Sequence, residues 1–403
     1  MSSAPELREQ FPFYAAEAPP CHYLDNAATS QIHRQALAAM VSQESSRANV
    51  HRSPYRLAEA ATLAYGEARQ RVARFLNAAS RDEVVFTSGA TASLNLVAYS
   101  FGATLKPGDE VLLSAAEHHS NFVPWLRLRD RAGIRLRVLP VLANGRIDSA
   151  SLAGLVTERC RLIALTHCSN VTGAVTDVAA AVAAARAVGA KVLLDGAQQV
   201  QHGPVDVQTL GADFYAFSGH KCFGPTGVGV LWGKKAALDA LPPFLTGGGM
   251  VGTVSLETLS FAPPPARFEA GTPPVGQAVG LGAAVDWMMT LPWAEIHRYE
   301  SALLAHLLEG LACFPAVRLI GPSDLDARLP IVSFEVKGLH PHDVCQVLGE
   351  QGVALRGGHH CAQPLLAALG SEGATRASIA LYNDLADVDA FLNGFEHALK
   401  VLS

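Results

Sequence analysis

No two cysteines in this chain are spaced as CxxC, and the odd count of seven argues against a disulfide framework or a zinc ribbon. A reducing compartment follows. Basic residues are not in excess: 31 Lys and Arg stand against 36 Asp and Glu, giving a net charge of -5 and no stripe for nucleic acid or anionic lipid. Residues Met1 to Gln10 carry neither a basic n-region nor an apolar h-region, so no signal peptide is expected. The apolar stretch from Val178 to Leu194 is interrupted by Arg186 and Lys191 and changes from a helix pattern to a strand pattern, which does not suit a membrane span. A soluble cytoplasmic protein acting on a small molecule is expected, with no nucleic acid, membrane or metal.

What is present points to an α/β enzyme. Hydrophobic residues make up 49% of 403 positions, and 35 Gly with 23 Pro supply many short turns. That length suits a large domain and a smaller one. Short aliphatic runs predict strands at 83–87, 110–114, 135–139, 162–166, 191–195, 213–217 and 228–232. Alanine-rich stretches between them predict helices at 58–76, 90–101, 119–132, 149–155 and 178–188. After Gly271-Thr-Pro-Pro274 a long helix at 275–291 leads to a second α+β region, with a strand at 330–336, a helix at 341–351, a Gly/His-rich loop and a last helix at 384–402.

The chemistry gathers at strand ends. Lys221 follows the run from Asp213, and Asp195 closes Leu193-Leu-Asp195. A lysine amine can form a Schiff base with an aldehyde cofactor, and a buried carboxylate can keep a pyridine nitrogen protonated, so the pair suggests pyridoxal phosphate. Ser88-Gly-Ala-Thr91 links a strand to a helix start and, together with Ser218 and His220, offers a phosphate cup. His118 closes the strand from Glu110, where an imidazole can stack on a ring and shuttle protons; a surface histidine capping the next helix is the plainer alternative. Asn170 ends another strand, with an amide suited to a substrate carboxylate or a ring oxygen. Cys361, in Gly357-Gly-His-His-Cys361, sits in a predicted loop beside His359, His360 and Arg356, where a thiol reacts rather than packs. Arg376 offers a planar fork for an α-carboxylate, although an arginine on a strand edge is more often a plain surface residue.

Taken together, Tyr23-Leu-Asp-Asn-Ala-Ala-Thr29, Ser218-Gly-His-Lys221, Gly224-Pro-Thr-Gly227, His359-His-Cys-Ala-Gln-Pro364 and Arg376-Ala-Ser378 give a chain that resembles the cysteine desulfurase family of class V aminotransferase-like enzymes. It is similar to the group of SufS-type desulfurases and Csd-type cysteine sulfinate desulfinases, leaning to the Csd type. The resemblance implies a fold-type-I PLP-dependent α/β transferase: a large domain over 20–285 with a mostly parallel seven-stranded sheet, and a smaller C-terminal α+β domain over 286–403. Residues 1–19 are expected to pack on the small domain. It also implies that Lys221 carries the cofactor, Asp195 pairs with the ring nitrogen, Gln198 hydrogen-bonds the ring hydroxyl and His118 stacks. Ala90, Thr91, Ser218 and His220 would contact the phosphate, with Thr272 reaching in from the partner of a homodimer. Asn170, Arg356 and Arg376 would hold substrate, and Cys361 would take sulfur as a persulfide for a SufE-like or CsdE-like acceptor, in sulfur metabolism and iron–sulfur cluster assembly.

Departures from the family pattern are small. Ala90 and Ala92 stand where Thr and Glu are usual, Ser88 replaces a frequent arginine, and Cys222 follows the lysine where leucine is common. Two other readings stay open: a selenocysteine lyase or other β-eliminating pyridoxal phosphate enzyme, which would not call for Cys361, and a non-catalytic scaffold for sulfur transfer.

Overall fold

The computed structural model describes residues 7–15, 21–51 and 53–402. Residues 1–6 and 16–19 of the segment expected to pack on the small domain lie outside the described residues, as do Pro20, Arg52 and Ser403.

Seven strands form the central sheet: β1 (Val84–Thr87), β2 (Glu110–Ser114), β3 (Arg135–Leu139), β4 (Cys160–Thr166), β5 (Lys191–Asp195), β6 (Phe214–Ser218) and β7 (Gly229–Gly233), in the order β1-β7-β6-β5-β4-β2-β3. The five from β6 to β3 run parallel, while β7 is antiparallel to both neighbours. Side chains alternate between faces, and both faces are covered. Leu193 joins a cluster with Val111, Leu113, Phe214 and Ala216, whereas Leu194 joins Ile163, Leu165, Tyr215 and Phe217.

Helices α1 (Arg34–Ser45), α2 (Arg56–Phe75), α3 (Ala90–Gly102), α4 (His119–Ala132), α5 (Val178–Val188) and α6 (Val275–Met288) accompany this sheet. Their ends have local causes. The Asp177 carboxylate accepts from the Ala180 N–H to start α5, and Gly189 closes it at φ 72°. Val178, Ala181, Val182 and Ala185 then bury one stripe at helical spacing. Some contacts admit no side chain: a Cβ on Gly229 would lie 2.4 Å from Cα of Gly89, so β7 passes directly under the turn that opens α3.

A hairpin of β8 (Val251–Val254) and β9 (Leu259–Phe261) projects from the main body. After α7 (Trp293–Ala312) comes a second, antiparallel sheet of β10 (Val317–Ile320), β11 (Ile331–Val336), β12 (Arg356–Gly358) and β13 (Ala374–Ser378), in the order β10-β11-β13-β12. Helices α8 (Pro341–Glu350) and α9 (Leu385–Leu402) cover it. The chain start reaches this region too: His22–Tyr23 pairs with Val353–Ala354, and Asp25 bridges to Ser378. Phe11 packs against His33, Phe223 and Trp287 near the large sheet and against Tyr382, while Arg8 pairs with Asp384 and Asp387.

The structure adds α1, the hairpin and β10 to the expected elements, and it makes two corrections. Part of the predicted Gly/His loop, Arg356–Gly358, is a strand, because its two glycines still pair with Thr375 and Ala374. Arg376 is not a strand-edge surface residue: β13 is flanked on both sides and the side chain is 2% exposed. Among the described residues no helix is long and apolar enough to cross a membrane.

Candidate active site

The carboxyl ends of β4, β5 and β6 meet the starts of α3 and α4 and the edge of the second sheet around a cavity of about 200 Å³. Of the residues singled out in the sequence, Ala90, Thr91, His118, Asn170, Asp195, Gln198, Ser218, His220, Lys221, Arg356 and Arg376 all line it. Two do not. Thr272 is exposed in a separate groove beside Ser88 and Gly227, and Cys361 lies in an outer groove that shares only Arg356 and His360 with the cavity wall.

Asp195 is the last residue of β5 and is buried, with Oδ1 accepting from the Ala197 N–H at 3.1 Å. Burial raises its carboxyl above the usual range, while that backbone bond and the Lys221 charge oppose the rise. Lys221 sits in the short turn after β6. Burial pushes its amine down to about 8, against the pull of Asp195 and with Arg376 and Arg356 adding to the fall. The amine is therefore much closer to its neutral, nucleophilic form than a surface lysine.

His118 caps α4, the plainer of the two readings, its Nδ1 accepting from the Ser120 N–H at 3.1 Å, and its ring also lies on the cavity. That bond leaves the ring proton on Nε2, and burial with Lys221 nearby lowers its pKa to about 3, so the ring is neutral. At the start of α3 the Ala90 N–H donates to Ser218 Oγ at 2.8 Å, and Thr91 Oγ1 lies 2.7 Å from Ser120 Oγ. His220 Nδ1 is 3.1 Å from Thr29 Oγ1. Gln198 donates from Nε2 to the Ala27 carbonyl at 2.9 Å, while its Oε1 is buried without a partner.

The opposite wall is a fixed polar chain. Asn170 Nδ2 donates to the His360 carbonyl at 2.7 Å, and Arg376 donates from Nη1 to the Asn170 carbonyl and from Nη2 to Asp25 Oδ1, each at 2.9 Å. Arg356 is the residue opposite Arg376 across β12 and β13, and its side chain is exposed. Cys361 follows His360 in a turn where both residues take left-handed φ, 55° and 51°, a conformation uncommon outside glycine. Its carbonyl accepts from the His119 N–H at 2.7 Å, which ties the turn to α4. Cys222 is buried with Sγ 3.3 Å from the Gly219 carbonyl and packs in the core.

Asp25, Ala27, Thr166 and Ser120, all at or beside this site, were not singled out from the sequence, and His360 was named there only for its place beside Cys361. Thr166 was findable as a strand-end residue. The pairing of Asp25 with Arg376 joins positions 351 apart, which no local pattern reports.

Comparison with known proteins gives a consistent set. The model of the family described as aminotransferase class-V matches residues 22–391. A protein of Streptomyces coelicolor named probable cysteine desulfurase is 46% identical over 400 residues, covering 97% of this chain and 96% of its own. The solved structure of the cysteine desulfurase CsdA from Escherichia coli, in an S-sulfonic acid form, superposes with a TM-score of 0.93 at 40% identity, covering all of both chains. A variant of C-DES with glycine covalently linked to its PLP cofactor superposes at 0.82 with 25% identity, covering 96% of this chain and 98% of its own.

Proposed function

The chain belongs to the aminotransferase class-V family, and we propose from that premise that it is a pyridoxal-phosphate-dependent cysteine desulfurase, converting L-cysteine to L-alanine and passing the sulfur on. The observation that carries this reading is the placing of Lys221 and Asp195 on one small cavity while Cys361 lines an adjoining groove that shares Arg356 and His360 with it.

The residues present fit the cofactor. Asp195 is a buried carboxylate with one backbone donor and capacity for a ring N–H. Gln198 has a buried polar atom left over, and Ala90, Thr91, Ser218 and His220 gather polar groups at the amino end of a 13-residue helix. Lys221 would hold the cofactor covalently, Asp195 its ring nitrogen, Gln198 its hydroxyl, and neutral His118 its ring face. When bound, pyridoxal phosphate supplies an electron sink for the pair released as the substrate Cα–H bond breaks.

The chain's own groups do the rest. Arg376, with Arg356 and Asn170, orients the substrate α-carboxylate by a planar fork. The Lys221 amine takes the Cα proton and returns one, a duty suited to a base poised near neutrality. Cys361 takes the sulfur: an S–S bond forms between its Sγ and the substrate sulfur as the substrate C–S bond breaks, the pair stays on Cβ, and a proton there completes alanine. Cysteine sulfinate, whose sulfur leaves as sulfur dioxide, needs no such nucleophile and is a second substrate of the same site.

Two partners complete the proposal. A second copy of the chain brings its own Thr272 to the phosphate end, and the exposed Val254, Leu256, Leu259 and Phe261 of the hairpin give such a dimer apolar surface to cover. A SufE-like or CsdE-like acceptor collects the persulfide in the groove of about 1050 Å³ beside Cys361. The setting is the cytoplasm. The direct test is the purified holoenzyme with L-cysteine and a thiol acceptor: alanine and sulfide should appear in equal amounts, and a protein that binds the cofactor but forms no alanine would overturn the reading.

A further inference from the structure

Among the described residues, His360 and Arg356 alone line both the inner cavity and the outer groove that holds Cys361. His360 is 3% exposed, so its ring is part of the partition rather than of the surface. Its protonation is fixed by what it touches. Nε2 lies 2.8 Å from the Ala374 carbonyl, and a carbonyl only accepts, so Nε2 carries the ring hydrogen. Nδ1 is then a bare lone pair, buried and without a hydrogen-bond partner. The neighbouring groups are bonded in part to one another, the His360 carbonyl taking Asn170 Nδ2, the Asn170 carbonyl Arg376 Nη1 and Asp25 Arg376 Nη2, while Arg376 Nε is likewise buried and makes no hydrogen bond to His360 Nδ1 among the described residues. A buried acceptor left unpaired is costly, and its presence on a ligand-binding wall calls for a donor that arrives with the ligand.

We propose that His360 touches the substrate, its Nδ1 accepting a hydrogen bond from the thiol of bound cysteine and so selecting a sulfhydryl at the point where the sulfur leaves the cavity. This rests on the desulfurase reading. Of the three polar groups of cysteine, the carboxylate only accepts, and the amine belongs at the Lys221 end; the S–H is the remaining donor. The ring orients the thiol rather than deprotonating it: burial and the charge of Arg376 hold its pKa near 3, so it does not take up a proton at neutral pH. The left-handed backbone of His360 and Cys361 makes the turn in which His360 borders both compartments and Cys361 the outer groove.

Two substitutions separate this contact from the strut to Ala374. His360→Gln places an amide N–H near the position of Nε2 and has no acceptor at Nδ1; His360→Asn places an acceptor near Nδ1 and gives up the strut. Dissociation constants are read from cofactor absorbance in holoenzyme carrying Cys361→Ala, for L-cysteine and for S-methyl-L-cysteine, which lacks the S–H. The expected result is about 5-fold weaker cysteine binding in His360→Gln, the size of one neutral hydrogen bond, with S-methyl-L-cysteine changed less than about 2-fold. His360→Asn should keep cysteine affinity within about 2-fold of the parent. Equal weakening of both ligands, no weakening of cysteine in His360→Gln, or the same loss in His360→Asn would each overturn the proposal. Absence of alanine formation in the unmutated enzyme would instead sink the desulfurase reading, and the two failures are read from different measurements.

Discussion

The inner cavity and the outer groove differ in almost every physical respect. The cavity is small, lined by strand ends and helix starts, and several of its wall residues are held by hydrogen bonds while Gln198 Oε1, His360 Nδ1 and Arg376 Nε are buried with none among the described residues. The groove is about five times larger and is walled by the β12 turn, the start of α8 and the tips of the second sheet, with His119, His340, His342 and His359 around Cys361. Carbanion chemistry needs fixed charges in a dry, preorganised place. Handing sulfur to another protein needs a thiol that such a protein can reach. On the proposed function, the molecule meets the two demands in two adjoining compartments bordered in common by Arg356 and His360.

The sharpest way to break that comparison is at Lys221. Lys221→Ala should lower turnover of both cysteine and cysteine sulfinate by ~10³-fold or more, since a covalent anchor and a proton carrier are lost together. It should also prevent borohydride from fixing cofactor to the protein, checked by mass; cofactor trapped on another residue would move the chemistry out of the cavity. Cys361→Ala comes next and should divide the substrates: sulfur transfer from cysteine falls to background while sulfinate turnover stays within a few-fold, on the order of 3-fold. An equal loss on both would merge the two regions into one. Asp195→Asn removes the buried carboxylate proposed to face the ring nitrogen and should cost ~10²-fold in kcat on both substrates, with cofactor binding also weakened.

The smallest effect concerns pH. The Lys221 amine is held down to about 8 by burial, so its neutral fraction grows as pH rises through that value. Cofactor uptake by the cofactor-free protein, followed by absorbance, should therefore speed up with a midpoint near pH 8; an ordinary lysine would give a midpoint near 10.4. Linkage has the same sign: between about 8 and 10.5 the unfolded chain keeps a proton that the folded one has released, so stability of the cofactor-free protein rises with pH relative to Lys221→Met across that window.

Regular strands were legible because β2, β3 and β5 are aliphatic runs bounded by turn residues, and their bounds coincide with those predicted. Helix α1, with the sequence Arg-Gln-Ala-Leu-Ala-Ala-Met-Val-Ser-Gln-Glu-Ser, buries only Ala36 fully and so carries little periodic signal. Strand β12 was hidden by Gly357 and Gly358, whose pairing is set by β13 rather than by propensity. Within the site, lysine, aspartate and cysteine announced themselves by position after strands and in a histidine-flanked turn. The partition did not. Knowing that His360 faces both compartments, or that Asp25 already holds one arm of Arg376, requires the fold, because each joins segments separated by hundreds of residues or two sides of one turn.

Gly229 carries one more consequence, in terms of heredity rather than chemistry. Any side chain there would put its first carbon 2.4 Å from Cα of Gly89, with backbone on both sides and no flexible neighbour to yield. Every missense change at this codon is therefore expected to push β7 away from the turn that begins α3 and to open the cavity wall, whatever the size or polarity of the new residue. The position has no gradual path to variation: sterics alone predict that a lineage carrying this enzyme keeps it as a fixed letter, and an alignment showing other residues there would refute this.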